Sequence, residues 1–323
     1  MDNAVYSRLK GEAMNILVVG GAGYIGSSIT DFLSLSSHSF VVYDKLLYED
    51  NFLKPIPFIY GDIRDKENLG KLLPSFDCII WLAALVGDGA CAINPDIAKE
   101  INQSSVKWLC QNFKGKIYFT STCSVYGQGD GLLTEVSPKN PLSVYAKTKL
   151  AAESYLLDHG ATIFRLGTVF GVSDSYSRIR MDLVVNAMTM NALLKGELYV
   201  QGGEQWRPLI HVRDIAYSIV ESLEKESHGI FNLHYENITI KDLAQRITKI
   251  VGGEIIYTEL PFQDQRNYKV SSDKARGELG FYPVYPIELG IKQVRDLVIS
   301  KRIKNPLEDI YHNQKYLDKI GVS

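Results

Sequence analysis

The sequence predicts an α/β protein, a doubly wound parallel sheet followed by a smaller, mixed α/β carboxyl-terminal lobe. Three observations predict it. Short, continuously apolar runs alternate with helical stretches through the first half of the chain, the pattern of parallel strands buried on both faces. The first run, Asn15-Ile-Leu-Val-Val19, feeds directly into a glycine cluster, Gly20-Gly-Ala-Gly23-Tyr-Ile-Gly26. The 323 residues are enough for one large domain and a second lobe.

Taken in order, strands are expected at 16–19, 40–43, 57–60, 78–82, 116–120 and 162–166. Most are closed at the carboxyl end by glycine, aspartate or a polar cluster, and ligands of such sheets bind at those ends. Beyond Gly171 the pattern changes. Longer helical stretches at 182–194 and 238–250 mix with short strand-like pieces and with loops such as Phe281-Tyr-Pro-Val-Tyr-Pro286. Residues 1–171 therefore read as the ligand-binding domain and 172–323 as the second lobe. The segment 208–232 is expected to return to the first domain, because 211–223 has the pattern of a helix packed on the main sheet. The tail after Lys301 is polar and helical in pattern, with no chemistry visible.

Composition excludes several classes. A net charge of −2 leaves no basic footprint for nucleic acid. No apolar run reaches the ~18 residues of a membrane-spanning helix. The first 13 residues lack the basic start and apolar stretch of a signal peptide. Cys78, Cys91, Cys110 and Cys123 show no paired or metal-type spacing. Reduced thiols, no metal and a cytoplasmic location are the expectation.

The glycine cluster carries the first chemistry. Gly20, Gly23 and Gly26 allow a tight turn and close approach to a pyrophosphate, and the helix opening at Tyr24 and Ile25 offers its amino-terminal N–H groups to that anion. Tight strand–helix turns use the same glycines without a ligand. Asp44, ending the second strand 18 residues after Gly26, favours the dinucleotide. A carboxylate there accepts hydrogen bonds from the adenosine ribose and repels a 2′-phosphate. The expected cofactor is NAD rather than NADP, with Lys45 softening the repulsion. At the end of the third strand, Asp62 is placed to accept from the adenine amino group and Ile63 to cover the ring. Asp62 alone also reads as a loop or capping aspartate.

The second chemistry lies in Tyr145-Ala-Lys-Thr-Lys149. Residues four apart share a helix face, so Tyr145 and Lys149 can enter one pocket. A phenol of pKa near 10 is a poor base at neutral pH until a neighbouring ammonium stabilises its anion. Upstream, the strand at 116–120 runs into Ser121-Thr122-Cys123-Ser124-Val-Tyr126-Gly127. The hydroxyls of Thr122 and Ser124 are candidates to hold a substrate alcohol against Tyr145. The expected roles follow: Tyr145 removes a proton from a sugar hydroxyl while hydride leaves for nicotinamide, and Lys149 lowers the tyrosine pKa and grips the nicotinamide ribose. A surface helix pair is the plain alternative for Tyr-x-x-x-Lys alone.

With these motifs in place, the chain resembles the extended short-chain dehydrogenase/reductase family, in its NAD-dependent nucleotide-sugar epimerase/dehydratase branch. The resemblance runs from Asn15 to about Gly290. It rests on the glycine cluster, Trp81-Leu-Ala-Ala84, the Tyr145–Lys149 segment, Arg165-Leu-Gly-Thr168-Val-Phe-Gly171 and Arg207-Pro-Leu-Ile-His211-Val-Arg-Asp214. It implies a Rossmann-type fold, Leu82, Ala83 and Ala84 beside the cofactor, and Thr122 as the catalytic hydroxyl. It also implies Arg207, and more weakly Arg266, on the substrate diphosphate. A homodimer built on helices over 95–113 and 142–157 is implied as well. Thr168 stands where the family usually has an asparagine, which makes Asn186 a candidate for the substrate amide contact.

The resemblance also bears on the reaction. Sugar 4,6-dehydratases of the family follow the catalytic threonine with an Asp–Glu pair, and here Cys123 and Ser124 stand there. The 3,5-epimerases resemble Ser-x-Cys at this point. The thiol here comes one position early, so Cys123 is expected to face away and pack. Cys91, in a glycine-rich loop, is a candidate pocket thiol or a packing residue. Chemistry at C4 remains, as oxidation or epimerisation. The stretch from Trp81 to Pro95, with the whole-chain pattern, looks most like GDP-manno-heptose 4-dehydrogenases that supply capsule heptose pathways. A nucleotide-sugar 4-epimerase and a non-catalytic NAD-binding regulator stand as alternatives.

Overall fold

The structure, a computed structural model, describes residues 12–258 and 266–321. Most of the leading segment read for a signal peptide lies outside the described residues.

Strands β1 (Asn15–Val19), β2 (Ser39–Asp44), β3 (Phe58–Tyr60), β4 (Cys78–Trp81), β5 (Lys116–Thr122), β6 (Thr162–Leu166) and β7 (Gly229–Leu233) form one sheet. Their order is β7-β6-β5-β4-β1-β2-β3, and every pairing is parallel. The chain walks outward in one direction from β1 and in the other from β4. The crevice at the carboxyl ends of these two strands is therefore the topological switch point where such sheets bind ligands.

The continuous apolar runs have their expected cause. Alternate residues of β1 feed two separate cores, Ile16 and Val18 on one face and Leu17 and Val19 on the other. β5 runs two residues further than expected and carries Thr122 to its tip.

The second lobe is built on a three-stranded sheet of Thr168–Phe170, Trp206–His211 and Glu236–Thr239. Helices Val184–Lys195, Ile240–Val251 and Ile287–Ile299 pack around it. The expected return at 208–232 is corrected in detail. Residues 208–211 stay in the lobe sheet, whereas helix Val212–Ser222 and β7 join the main sheet. Ala275 and Leu279, from helix Asp273–Leu279, also enter the main core. The chain thus crosses between the two layers more often than its composition suggested, because Ile215, Ile219, Ala275 and Leu279 all find their apolar partners there.

Two further expectations change. The stretch 95–113 is not one regular helix but Pro95–Lys99, a π-helical turn Glu100–Ser104, and Ser105–Asn112. That turn holds Asn102, which is buried. Its Oδ1 accepts from Leu85 N at 2.8 Å and its Nδ2 donates to Leu85 O at 2.9 Å and Thr148 Oγ1 at 3.3 Å. Such turns often mark functional sites. The tail, in turn, is not idle. Its helix Asn313–Ile320 buries Leu317 against Leu85, Ala90 and Cys91, beside Tyr145.

All four cysteines are free. Among the described residues no helix is long and apolar enough to cross a membrane.

Candidate active site

At the switch point lies a cavity of about 1500 Å³. That is more volume than one drug-sized ligand fills, so a cofactor and a substrate can lie side by side. It is bordered by the glycine turn, the ends of β2 to β5, the first turns of helix Val144–His159, and the second lobe.

The glycine turn is shaped for an anion. Gly20 has φ +82°, and a Cβ there would stand 2.5 Å from Ala83 N. A Cβ on Gly26 would stand 2.5 Å from Gly21 Cα, so helix Tyr24–Leu33 can close on the turn only without a side chain there. Gly23 caps that helix without a side-chain hydrogen bond, leaving amino-terminal amides for a ligand. Tyr24 and Ile25 both line the cavity, and the Tyr24 hydroxyl donates to Gly171 O at 2.7 Å. Leu82, Ala83 and Ala84 form the opposite lip, held where Leu82 N and Ala83 N donate to Val19 O. The cradle fits a dinucleotide pyrophosphate.

Asp44 ends β2 and braces the turn. Its Oδ2 accepts from Ala22 N at 3.0 Å and its Oδ1 from Leu46 N at 2.8 Å. Burial pushes its pKa up, against the pull of these amides. Lys45 does not turn to Asp44 but pairs with Asp62 Oδ2 at 2.9 Å. Arg64 also forks onto Asp62, with NH2 at 2.7 Å. Burial raises the Asp62 pKa, but the Arg64 and Lys45 bonds outweigh it and hold the carboxyl far below its usual range. Asp62 thus already pairs with two cations, Arg64 two residues on and Lys45 just past β2, and it borders the cavity as the candidate for the adenine amino group. Ile63 is buried and borders the cavity.

The catalytic pair is set by a well-capped helix. Ser143 caps it, its Oγ accepting from Ala146 N at 3.1 Å and donating to Asp88 Oδ1 at 2.6 Å. Gly160, at φ +83°, ends it. Tyr145 lies in the first turn and Lys149 one turn on, both facing the cavity with Thr122 and Ser124. Thr122 Oγ1 accepts from Ser124 N at 3.1 Å and donates to Ser124 Oγ at 3.0 Å.

The electrostatics differ from expectation in one respect. Lys149 is buried, its Nζ lies 4.0 Å from the centre of the Phe119 ring, and burial lowers its pKa to about 7 against the opposing pull of Glu153 and Cys91. Tyr145 is pushed well above its ordinary value, first by burial and then by Cys91 and Asp88. The charges that oppose this are Arg180 and Arg266, so the protein alone does not depress the tyrosine through Lys149.

Behind the helix, Glu153 and Arg165 form a fully buried ion pair, NH2 to Oε2 at 2.6 Å and Nε to Oε1 at 3.0 Å. Ser121 Oγ donates to Glu153 Oε1 at 2.5 Å. This network ties the tip of β5, which carries Thr122, to the helix that carries Lys149.

The candidate substrate residues separate. Arg207 is buried at the cavity wall and donates to Trp206 O at 2.9 Å and to Arg266 O. Arg266 reaches the centre, 3.2 Å from Ser124 Oγ and 3.4 Å from Asp88 Oδ2. Asn186 is a correction. It is buried, accepts from Gly171 N at 3.0 Å, and donates to Gly171 O at 3.0 Å and Arg180 O at 2.8 Å. Its amide is spent on holding the loop that leads out of the lobe sheet. Cys123 packs with Val125 and Leu133, as its strand position implied. Cys91 also packs, its thiol donating to Leu85 O at 3.3 Å and its pKa pushed up to about 12 by burial.

Sequence reading missed Asp88, Ser143, Arg178, Arg180, Asp182 and the tail residues from His312 to Lys315, all of which border the cavity. The alternating charges of Arg178-x-Arg180-x-Asp182, just ahead of an apolar helix, were a visible signal. For the tail there was none.

Compared with known proteins, residues 16–233 match the model of the NAD dependent epimerase/dehydratase family. A UDP-glucose 4-epimerase of Halalkalibacterium halodurans is 28% identical over 306 residues, covering 84% of this chain and 92% of its own. A probable UDP-arabinose 4-epimerase of Arabidopsis thaliana is 27% identical, covering 84% and 77%. Among solved structures, the UDP-glucose 4-epimerase of Thermotoga maritima with UDP-glucose superposes with a TM-score of 0.78 at 26% identity, covering 89% of this chain and 99% of that one.

Proposed function

The chain belongs to the NAD-dependent epimerase/dehydratase family, and from that premise we propose that it oxidises C4 of a nucleotide-linked sugar. The favoured reading is a GDP-manno-heptose 4-dehydrogenase giving a 4-keto sugar for capsule or other surface polysaccharide synthesis. The observation that carries the C4 chemistry is the shared face of Tyr145 and Lys149, opening on one cavity with the glycine turn and Thr122.

NAD, when bound, supplies the hydride acceptor. Tyr145 Oη takes the proton of the C4 hydroxyl, and Thr122 Oγ1 holds that hydroxyl in line. Lys149, with a pKa of about 7, is poised to exchange a proton at neutral pH. Arg180 and Arg266 supply the positive field that eases ionisation of Tyr145. Arg207 and Arg266, both at the cavity wall, are the cations assigned to neutralise the diphosphate. No carboxylate follows Thr122, and Asp88, which reaches this end of the cavity, is engaged by Ser143 and Arg266. Both points support simple redox chemistry over dehydration.

The names of the relatives favour a second reading, a 4-epimerase, which shares the oxidation step and returns the hydride. A non-catalytic regulator is disfavoured by retention of both Tyr145 and Lys149. We include in the proposal a homodimer through the helices at 95–112 and 144–159, where Leu157 is 46% exposed. One experiment separates the readings: incubate the protein with NAD and GDP-heptose or UDP-glucose, follow absorbance at 340 nm, and identify products by NMR. Stoichiometric NADH with a 4-keto sugar supports the dehydrogenase; an inverted C4 with no net NADH supports the epimerase. Turnover by Tyr145→Phe within tenfold of wild type refutes both, since removing a general base costs about 10²–10⁴.

A further inference from the structure

The tail beyond Lys301 lies outside the matched family region, which ends at residue 233, yet it is fastened to the catalytic end of the cavity. Asn313, at the start of the tail helix, is buried and fully engaged. Its N–H donates to Asp182 Oδ2 at 2.9 Å, its Nδ2 donates to Val86 O at 2.8 Å, and its Oδ1 accepts from Arg178 at 2.6 Å. Arg178 also donates to Ile310 O at 2.9 Å and lies 3.6 Å from the centre of the Tyr48 ring. Tyr48 in turn meets Tyr316, with ring centres 5.4 Å apart. Leu317 is buried beside Cys91. Contacts on both lobes thus hold the first turn of this helix in one place.

What that fastening presents is Gln314. Its amide lies against Gly89, close enough that a Cβ on Gly89 would stand 2.0 Å from Gln314 Oε1. Gly89 follows Asp88, which is bonded to the cap of the Tyr145 helix. Gln314 and Gly89 both border the cavity. Asn313, Arg178, Asp182 and Asp88 are each bonded within the protein, whereas the exposed Gln314 side chain makes no hydrogen bond among the described residues.

We propose that Gln314 is a specificity-determining residue that hydrogen-bonds the sugar of the nucleotide-sugar substrate, with the tail helix forming the outer wall of the sugar subsite. This rests on the nucleotide-sugar reading above. A primary amide donates and accepts at once, which suits the vicinal hydroxyls of a sugar ring. A side chain on Gly89 would displace that amide.

The test is calorimetric titration of the full chain, with NAD present, against GDP, GDP-mannose, UDP and UDP-glucose. Gln314→Ala is expected to weaken whichever nucleotide sugar the wild type binds by about fivefold, the worth of one neutral hydrogen bond, and to leave GDP or UDP affinity within twofold. Gly89→Ala is expected to do the same, because its Cβ displaces the flexible end of Gln314 rather than backbone. The double variant is expected to be no weaker than either single one. Unchanged sugar affinity in Gln314→Ala, equal weakening of the sugar-free diphosphates, or additive losses overturn the inference alone. A wild type that binds none of the four probes overturns the nucleotide-sugar reading and this inference with it.

Discussion

Replacing Glu153 by glutamine removes one charge from the network that joins the two catalytic elements. The Glu153 and Arg165 side chains are 2% and 1% exposed, with the closest contact at 2.6 Å. At an effective dielectric constant of 20, that separation corresponds to about 6 kcal/mol of gross attraction. Glutamine keeps a polar group of the same size, and Arg165 retains Tyr126 OH at 2.9 Å and Glu135 O at 3.2 Å. The guanidinium is nonetheless left buried without a counter-charge, for which losses of about 3–5 kcal/mol are typical. At roughly 2 °C per kcal/mol for a chain of this size, the melting temperature should fall by about 6–10 °C. Lys149 loses the first of the neighbours that raise its pKa, so its pKa should move below about 7. Thermal unfolding followed by circular dichroism measures the first effect, and the pH profile of turnover the second. The double variant Glu153→Leu/Arg165→Met, which removes both charges, should melt above Glu153→Gln. A fall of less than 2 °C in the single variant, or a double variant that melts below Glu153→Gln, refutes the reasoning.

Other outcomes follow from particular contacts. Asp44→Ala orphans Ala22 N and Leu46 N; at about 1 kcal/mol or more for each, NAD affinity should drop roughly tenfold or more and NADP should cease to be rejected, as read by titration of both. Gly20→Ala forces φ +82° on an alanine and a Cβ onto Ala83 N; the left-handed backbone alone costs about 1–2 kcal/mol, so an unaltered melting temperature together with unaltered NAD affinity contradicts the close approach. His211 and His234 are buried, and burial lowers the pKa of each from 6.5 to about 4. The unfolded chain takes up their protons first, so stability should fall as pH drops from 6.5 towards 4, by roughly 3 kcal/mol for each histidine. Asp214, raised from 3.8 to about 6 by burial, acts in the opposite sense between those values and blunts the loss. Urea midpoints at pH 7.5, 6 and 5 measure the slope, and His234→Asn should flatten it; an equal slope in that variant removes the histidine from the account.

The parts of this protein legible in its sequence share a physical feature: their signal is local. Six strands of the main sheet could be placed within two residues, because a parallel strand buried on both faces must be apolar without interruption. The glycine turn was legible because only glycine tolerates the backbone at Gly20 and the close packing at Gly26. The spacing of Tyr145 and Lys149 was legible because a helix puts residues four apart on one face. The tertiary structure decided what each of these groups meets. Lys149 faces Phe119 and Glu153, so burial sets its pKa, and spacing carries no information about burial. Asp62 is claimed by Arg64 and Lys45, and Asn186 by the carbonyls of Gly171 and Arg180. The tail is the clearest case. Asn313 and Gln314 are polar residues in a polar segment, and nothing local distinguishes them. They border the cavity because Leu317 finds a buried place beside Cys91, and Arg178 meets Asn313 from 135 positions away. A pattern within one helix is written in that helix, whereas a contact between distant segments exists only once both have folded.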